Sequence, residues 1–517
     1  DWSSDVCSSD LIDYYNERLT ENATVAVPFT LQPLWFAEGT AQFESSRMGF
    51  DSWDTHRDML LRTAALNDDL LSLEYMHDFA DNSLDAELGP YTQGFSMVRY
   101  IDAKYGPEAM PKIWAELSTP YRATLSAAIQ KVIGIDEDSL YKNWKAEITE
   151  HYKAQEKSLG VLVSGKKWTE GAFYNDYPMV AGGNIYGVSN FGGPWFDGGI
   201  FKIPTHAEDS TSQTDSTLGI SITIQDSILD ISNFAKSGFK PEKPWFDKGI
   251  SVREIPGRGP ILAYTTYKKR DRAGHAHFDI AIADTNGNSQ LATTLLDAVY
   301  PDISPDGKEI VFARREIHST RFVLSKTTLP DSGSKSPAEY KDIYIPDSRF
   351  LYYNIYSPKF SPDGKKIAFS YFDDSIRGIF VINSDGSGIV DLTQKDFDLR
   401  DPNWIDNETL IYSSNRNGIF NLYSKKLSGG AEHPLTNVVG GAFTPAVDSG
   451  IIYYTNYDKD GFSLYSLDLT DYDATKDSTI VLYDTTFTTC PNPQTTLPDS
   501  IPVQDSSKTD ANDSAIV

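Results

Sequence analysis

The residue types that could do chemistry are sparse in this 517-residue chain. There are eight histidines, His56, His77, His151, His206, His275, His277, His318 and His433, and none stands in a His-Glu-x-x-His frame. His275-Ala276-His277 would put two imidazoles on one face of a strand, a pair able to share a metal. No third ligand is near in sequence, so a polar hairpin is the expectation. Asp458-Lys459-Asp460-Gly461 begins like a calcium loop but lacks the later glutamate, which predicts a hairpin turn. Cys7 and Cys490 are the only cysteines, too few for a disulfide framework or a thiolate zinc site. Gly-x-Ser-x-Gly, the nucleophile elbow of serine hydrolases, is absent. One acid stands out by its neighbours, Glu38 in Trp35-Phe36-Ala37-Glu38-Gly39-Thr40-Ala41.

The elements around Glu38 read as helices. Pro28 and Pro33 precede the segment, and a helix is expected to start near Pro33. Leu60, Leu61, Ala64, Ala65, Leu70, Leu71 and Leu73 suggest helix with a break. Tyr91, Phe95, Val98, Ile101 and Tyr105 recur every three to four residues on one helix face, ended by Gly106-Pro107. Met110, Ile113, Trp114 and Leu117 form another stripe. Leu125, Ala128, Ile129 and Val132 form the next, closed by Gly134. Asp136, Glu137 and Asp138 put acid at a helix start, where the dipole favours it, and Leu140, Trp144, Ile148 and Tyr152 follow as one buried stripe. Residues 12–157 therefore read as an all-helical unit of about five helices.

From 158 onward the helical period disappears. Ser304-Pro305-Asp306-Gly307 precedes Lys308-Glu309-Ile310-Val311-Phe312-Ala313, and Ser361-Pro362-Asp363-Gly364 precedes Lys365-Lys366-Ile367-Ala368-Phe369-Ser370. Each reads as strand, tight turn, strand. Pro301, Pro358, Pro402 and Pro445 open successive units, 57, 44 and 43 residues apart. Looking backwards, Pro244 with Ile261–Tyr264 and Pro178 with Asn184–Gly187 fit the same scheme. Six units of four short strands predict a six-bladed β-propeller over 158–489, with Gly378–Ile382 and Gly418–Tyr423 as third strands. Polar insertions at 205–217 and 330–341 are assigned to loops. Ring closure is expected between a strand near Gly160–Val163 and one near Thr479–Tyr483. Aromatics are 12% of residues, with 29 Tyr and 26 Phe, which suits β-structure.

The Ser-Pro-Asp-Gly units resemble the TolB-like (WD40-like) propeller repeat. The first region is similar to the gluzincin (peptidase MA-like) zinc metallopeptidases over about 28–155, through Pro33-x-Trp35-Phe36-x-Glu38-Gly39, Tyr91-Thr92-Gln93-Gly94-Phe95 to Tyr105-Gly106, and Trp144. The resemblance implies Glu38 as the third protein ligand of a zinc ion and Tyr91 as a phenol that stabilises the oxyanion. It further implies peptide hydrolysis by zinc-activated water, with a propeller that binds substrate or a partner protein. The departure is the missing His-Glu-x-x-His, expected shortly before Trp35. We read the chain as cut short there, so that as it stands it neither holds zinc tightly nor cleaves peptides. The competing expectation is a non-catalytic cell-envelope scaffold that works through propeller protein–protein contacts. A propeller-bearing serine peptidase is disfavoured, since no elbow is present and fewer than 30 residues follow the last unit.

Residues 1–11 look like translated adaptor sequence and carry no signal-peptide pattern. Residues 490–517, rich in Pro, Thr, Ser and Asp, read as a flexible tail. A net charge of −27 argues against nucleic acid as a partner, and no apolar run is long enough to span a bilayer. The expected setting is bacterial, periplasmic or extracellular. The fold class is thus multidomain α + β: the all-helical C-terminal part of a metallopeptidase, then a six-bladed propeller.

Overall fold

The computed structural model describes residues 32–77, 87–118, 124–170, 173–190, 199–205, 222–223, 248–270, 274–284, 289–317, 319–331, 339–373 and 375–469. The adaptor-like start, the tail and the expected closing strand at 479–483 lie outside them, as do Cys7, Cys490 and Pro244.

Helix α1 (Leu34–Arg47) starts where Pro33 directs it, its carbonyl accepting from Phe36 N at 3.0 Å and Ala37 N at 3.2 Å. Its inward residues are Trp35, Phe36, Glu38, Gly39, Gln42 and Phe43. Helix α2 (Thr55–Leu66) is capped by Asp54, which accepts from Arg57 N at 2.8 Å. It stops at Asn67, followed by Asp68 with φ +54°, the predicted break. A π-helical turn, Glu87–Gln93, leads into α3 (Gly94–Tyr105), which ends at Gly106 with φ +90°. Helices α4 (Ala109–Leu117), α5 (Leu125–Ile133) and α6 (Glu137–Ser158) complete the region, with Gly134 in the left-handed conformation and Asp136 capping Ser139 N at 2.7 Å. The periodic residues named above form one core: Phe36, Leu61, Phe95, Val98, Ile101, Ile113, Ile129, Leu140, Trp144, Ile148 and Tyr152. Both buried indoles find acceptors, Trp35 Nε1 on Glu137 Oε1 at 2.9 Å and Trp144 Nε1 on Ser96 Oγ at 3.0 Å.

The second region is a six-bladed β-propeller. Its innermost strands, blade by blade, are Asn175–Ala181, Ile250–Ile255, Ala298–Ile303, Asn354–Phe360, Leu399–Trp404 and Gly441–Asp448. Each touches the next, and the sixth touches the first, so the ring is closed. Five of the six carry a β-bulge made of one non-glycine residue with positive φ and then proline: Tyr177-Pro178, Tyr300-Pro301, Ser357-Pro358, Asp401-Pro402 and Thr444-Pro445. The prolines that open each sequence unit thus sit where the ladder is interrupted and no N–H is required. In the second blade Gly249, with φ +69°, takes the left-handed position just before the strand.

The Ser-Pro-Asp-Gly signature joins first and second strands. Ser304 Oγ donates to Asp306 Oδ1 at 2.7 Å and accepts from Lys308 N and Glu309 N at 3.1 and 2.9 Å, with Gly307 at φ +69°. Ser361, Asp363 and Gly364 repeat the pattern, with Ser361 Oγ accepting from Lys366 N at 2.9 Å.

Three details differ from the sequence reading. The ring is closed by Lys166–Lys167 pairing with Gly461–Asp468, a few residues beyond the expected Gly160–Val163, where Val163 makes only a single bridge to Asn437. The stretch assigned to loop at 330–341 runs into the outer strand Tyr340–Tyr344 of the third blade. Gly418–Phe420 precede the third strand Asn421–Lys426 rather than belonging to it.

Because the strands alternate in direction, first-to-second turns emerge on one face of the ring. Second-to-third and blade-to-blade connections emerge on the other, the loop face. Helix α2 docks on the loop face at the fifth and sixth blades. Met59 and Leu60 pack with Phe420, Phe443 and Tyr457. Arg62, fully buried, donates from Nε to Val439 O at 2.7 Å and from Nη2 to Gly440 O at 3.0 Å. Its remaining charge is met by Asp58, which also accepts from Tyr152 OH at 2.8 Å.

Candidate functional site

Glu38 lies on the inward side of α1 at 4% exposure. Gly39, the next residue, is where α1 crosses α3. A Cβ there would lie 2.9 Å from Phe95 N and closer still to the Gly94 carbonyl, while a Cβ on Gly94 would lie 3.0 Å from the Trp35 carbonyl carbon. The Glu-Gly and Gln-Gly segments are therefore joined backbone to backbone. The π-turn that carries Tyr91 packs on α1. Pro90 inside it has no N–H to give, which favours the wider turn. Gln93, fully buried, fixes the turn by accepting from Leu71 N at 2.9 Å and donating to Leu71 O at 3.1 Å. Glu38 and Tyr91 thus sit on neighbouring elements.

The described imidazoles do not gather around them. His77 Nε2 is 3.4 Å from Glu137 Oε1, the carboxylate that holds Trp35. Burial lowers the pKa of His151 from its ordinary value, against the pull of Asp58. Among the described residues no group of three His, Cys, Asp or Glu side chains is placed to hold a metal ion. The described donors alone therefore do not make up a zinc site, and no catalytic step through zinc follows from them.

The other two metal candidates resolve into structure. His275 precedes the strand Ala276–Asp284 and His277 lies in it, with Nδ1 3.2 Å from Asp297 Oδ1. The segment Asp458–Gly461 is the expected hairpin turn. Its carboxylates face Lys167 Nζ, at 2.8 Å from Asp458 Oδ2 and 2.6 Å from Asp460 Oδ2, so an ammonium stands where a calcium loop would hold its ion.

The propeller axis carries polar residues that sequence reasoning left unassigned. Asp176 accepts from Thr444 Oγ1 at 2.6 Å, Thr455 Oγ1 at 2.7 Å and Tyr177 N at 2.6 Å; burial nonetheless pushes its carboxyl up to about 6. Asp302 accepts from Ser251 Oγ and Phe360 N, both at 2.9 Å, with Lys359 Nζ 3.6 Å away. Burial lowers the pKa of Lys359 and raises that of Asp401. The one signal for this ring was the residue pairs at the prolines, Asp176-Tyr177-Pro178 and Asp401-Pro402. The cavity between Tyr177, Ser357, Lys359, Asp401 and Thr444 is about 20 Å³, room for about one water and no substrate.

Residues 260–497 match the family model of the TolB beta propeller domain. No curated protein matches the chain. Among solved structures, it is similar to a puromycin-hydrolyzing peptidase of Mycobacterium tuberculosis, at 12% identity over 60% of this chain and 55% of that one, with a TM-score of 0.38. It is also similar to TolB from Acinetobacter baumannii, at 16% identity over 43% and 54%, with a TM-score of 0.30. The chain spans about 55% of the length of the puromycin hydrolases it matches. Likenesses this distant say nothing of substrate or activity. No described helix is long and apolar enough to cross a membrane.

Proposed function

We propose that this chain is a protein-binding platform of the bacterial cell envelope, periplasmic or extracellular, whose propeller presents its loop face beside a fixed helical region. The observation that carries this is the Arg62 anchorage. A buried guanidinium spans both regions and holds them in one orientation. The net charge of −27 favours protein over nucleic acid as the partner. The test is capture of envelope proteins from a periplasmic extract by the immobilised chain. Capture that is lost on charge reversal across the loop face, and kept on reversal of Lys308 and Lys365 on the opposite face, supports the reading. No capture above a control protein overturns it.

A second reading is favoured by the Gly39–Gly94 crossing, which brings together the two segments that carry the gluzincin resemblance. In it the helical region is peptidase-like, Glu38 is a zinc ligand and Tyr91 an oxyanion donor, and a paired-histidine helix encoded ahead of Trp35 supplies what the described residues lack. The upstream coding sequence tests this. An intact frame without His-Glu-x-x-His ends it, whereas a frame that has the motif predicts stoichiometric zinc and chelator-sensitive cleavage of casein.

A further inference from the structure

We propose that the propeller axis, at the end opposite the loop face, is a binding site for one small inorganic anion of the halide class, held between Lys359 and Arg253. The site goes beyond the platform reading and needs no protein partner.

The first strand of each blade runs from the loop face towards the first-to-second turn, so charges before and after the bulges lie at different depths along the axis. On the loop side stand Asp176, Asp398 and Asp401 with Arg377 and Arg400, three carboxyls to two guanidiniums. Arg400 Nη2 is 2.6 Å from Asp398 Oδ2, Arg377 Nε is 4.0 Å from the same oxygen, and both guanidiniums act on Asp401. On the turn side stand Arg253, Asp302 and Lys359, two cations to one carboxyl. Charge is thus polarised along the axis, with one cation in excess at the turn end.

Neither of these two cations finds a good acceptor in the chain. The Lys359 side chain is 13% exposed. Its Nζ reaches across the axis to Met179 Sδ at 3.6 Å and lies 3.6 Å from Asp302 Oδ1, too long for a hydrogen bond to oxygen. Asp302 is already taken, with Oδ1 accepting from Ser251 Oγ and Oδ2 from Phe360 N, both at 2.9 Å. Burial lowers the pKa of Lys359; Asp302 and Asp401 oppose that shift, and Arg253 adds to it. Among the described residues no carboxylate lies within ion-pair distance of Arg253. Its Nη2 donates to Ile303 O at 3.1 Å, and its buried Nε has no acceptor. Glu254, the next residue, is exposed and turned towards Gly182 of the first blade. A buried N–H without an acceptor, beside a buried ammonium without an oxygen, calls for a ligand that accepts from both.

Size selects the ligand. The cavity beside Lys359 is about 20 Å³, and Ser357 on its wall adds a hydroxyl. It admits a single-atom guest such as chloride and excludes phosphate or sulfate. Asp401 is the one acid on that wall, and its carboxyl is engaged by the Thr444 backbone, Arg400 and Arg377. An anion here ties Lys359 of the fourth blade to Arg253 of the second and so stabilises the ring.

The experiment is thermal unfolding of the full chain at one ionic strength in gluconate, chloride, bromide and sulfate salts. Chloride and bromide should each raise the melting temperature by about 2 °C or more over gluconate, which screens charge equally but cannot enter. Lys359→Met and, separately, Arg253→Met should abolish that difference, while Lys308→Met on an exposed turn keeps it. Sulfate stabilises by exclusion from the surface, so its effect should survive in both axis variants. Each comparison is made between salts within one protein, so a variant that is merely less stable does not mimic the result. If Lys359→Met does not fold, the Arg253→Met comparison decides alone. Equal melting temperatures in chloride and gluconate overturn the proposal. So does a chloride effect that persists in either axis variant.

Discussion

Gly39 and Gly94 meet backbone to backbone where α1 crosses α3, and neither position has room for a single added methyl. This contact sets how far the Glu38 segment stands from the π-turn bearing Tyr91. Gly39→Ala and Gly94→Ala should each lower stability by about 1–3 kcal/mol or more, because the obstructing atoms are backbone and cannot rotate away. Thermal melts followed by near-ultraviolet dichroism check this. A melting temperature within one degree of wild type would show that the crossing is looser than described.

The Arg62–Asp58–Tyr152 cluster is the second mechanical joint. Asp58→Asn leaves a buried guanidinium short of its counter-charge, and the expected loss is about 3–5 kcal/mol. Arg62→Met removes the charge but also the donors to Val439 O and Gly440 O. It should free the helical region from the propeller without unfolding either. Limited proteolysis would then cut between 158 and 166 in the Arg62→Met variant and spare the wild type. Resistance of both to cleavage would show that the apolar contacts of Met59 and Leu60 suffice.

Lys167 makes the same kind of argument about metal. It bridges Asp458 and Asp460 from the closing strand and, with Lys459 paired to Asp460, balances the two carboxylates of the hairpin. Calcium or a chelator should leave the melting temperature unchanged. Lys167→Ala should cost about 1 kcal/mol, given its partial exposure, and make the hairpin calcium-responsive. A calcium-dependent rise in the wild-type melting temperature would contradict this.

What was legible in the sequence follows from what repeats. The propeller was readable because its bulges need proline and its tight turns need Ser-x-Asp-Gly, both of which recur at fixed places in a blade. The closing strand was misplaced because Lys166–Lys167 is two residues long and has no alternation to read. The π-turn was invisible because Tyr91, Phe95 and Val98 keep an ordinary helical spacing across it. Arg62 gave no signal because its partners are backbone carbonyls 377 and 378 residues away, and any residue type can supply those. Glu38 was picked out by its neighbours, and the structure gives Gly39 a packing role that accounts for half of that motif.

Asp176 ties the propeller seam to pH. Its carboxyl belongs to the first blade, and its two hydroxyl donors, Thr444 and Thr455, belong to the sixth. Burial raises its pKa from 3.8 to about 6, so the folded ring holds this proton more tightly than the unfolded chain does. The ring is then most favoured by this group below pH 3.8. The contribution is lost as pH rises through about 6, by roughly 3 kcal/mol at 1.36 kcal/mol per pKa unit. Asp176→Asn keeps an oxygen for the two threonines and abolishes the titration. Relative to wild type, the variant should therefore gain stability between pH 4.5 and pH 7.5, by about 2 kcal/mol, since about a third of the effect is already present at pH 4.5. Urea midpoints of both proteins at the two pH values measure the difference directly. If the gap between them stays constant with pH, the carboxylate at the seam is ionised throughout and the hydroxyl pair, not a proton, is what stabilises it.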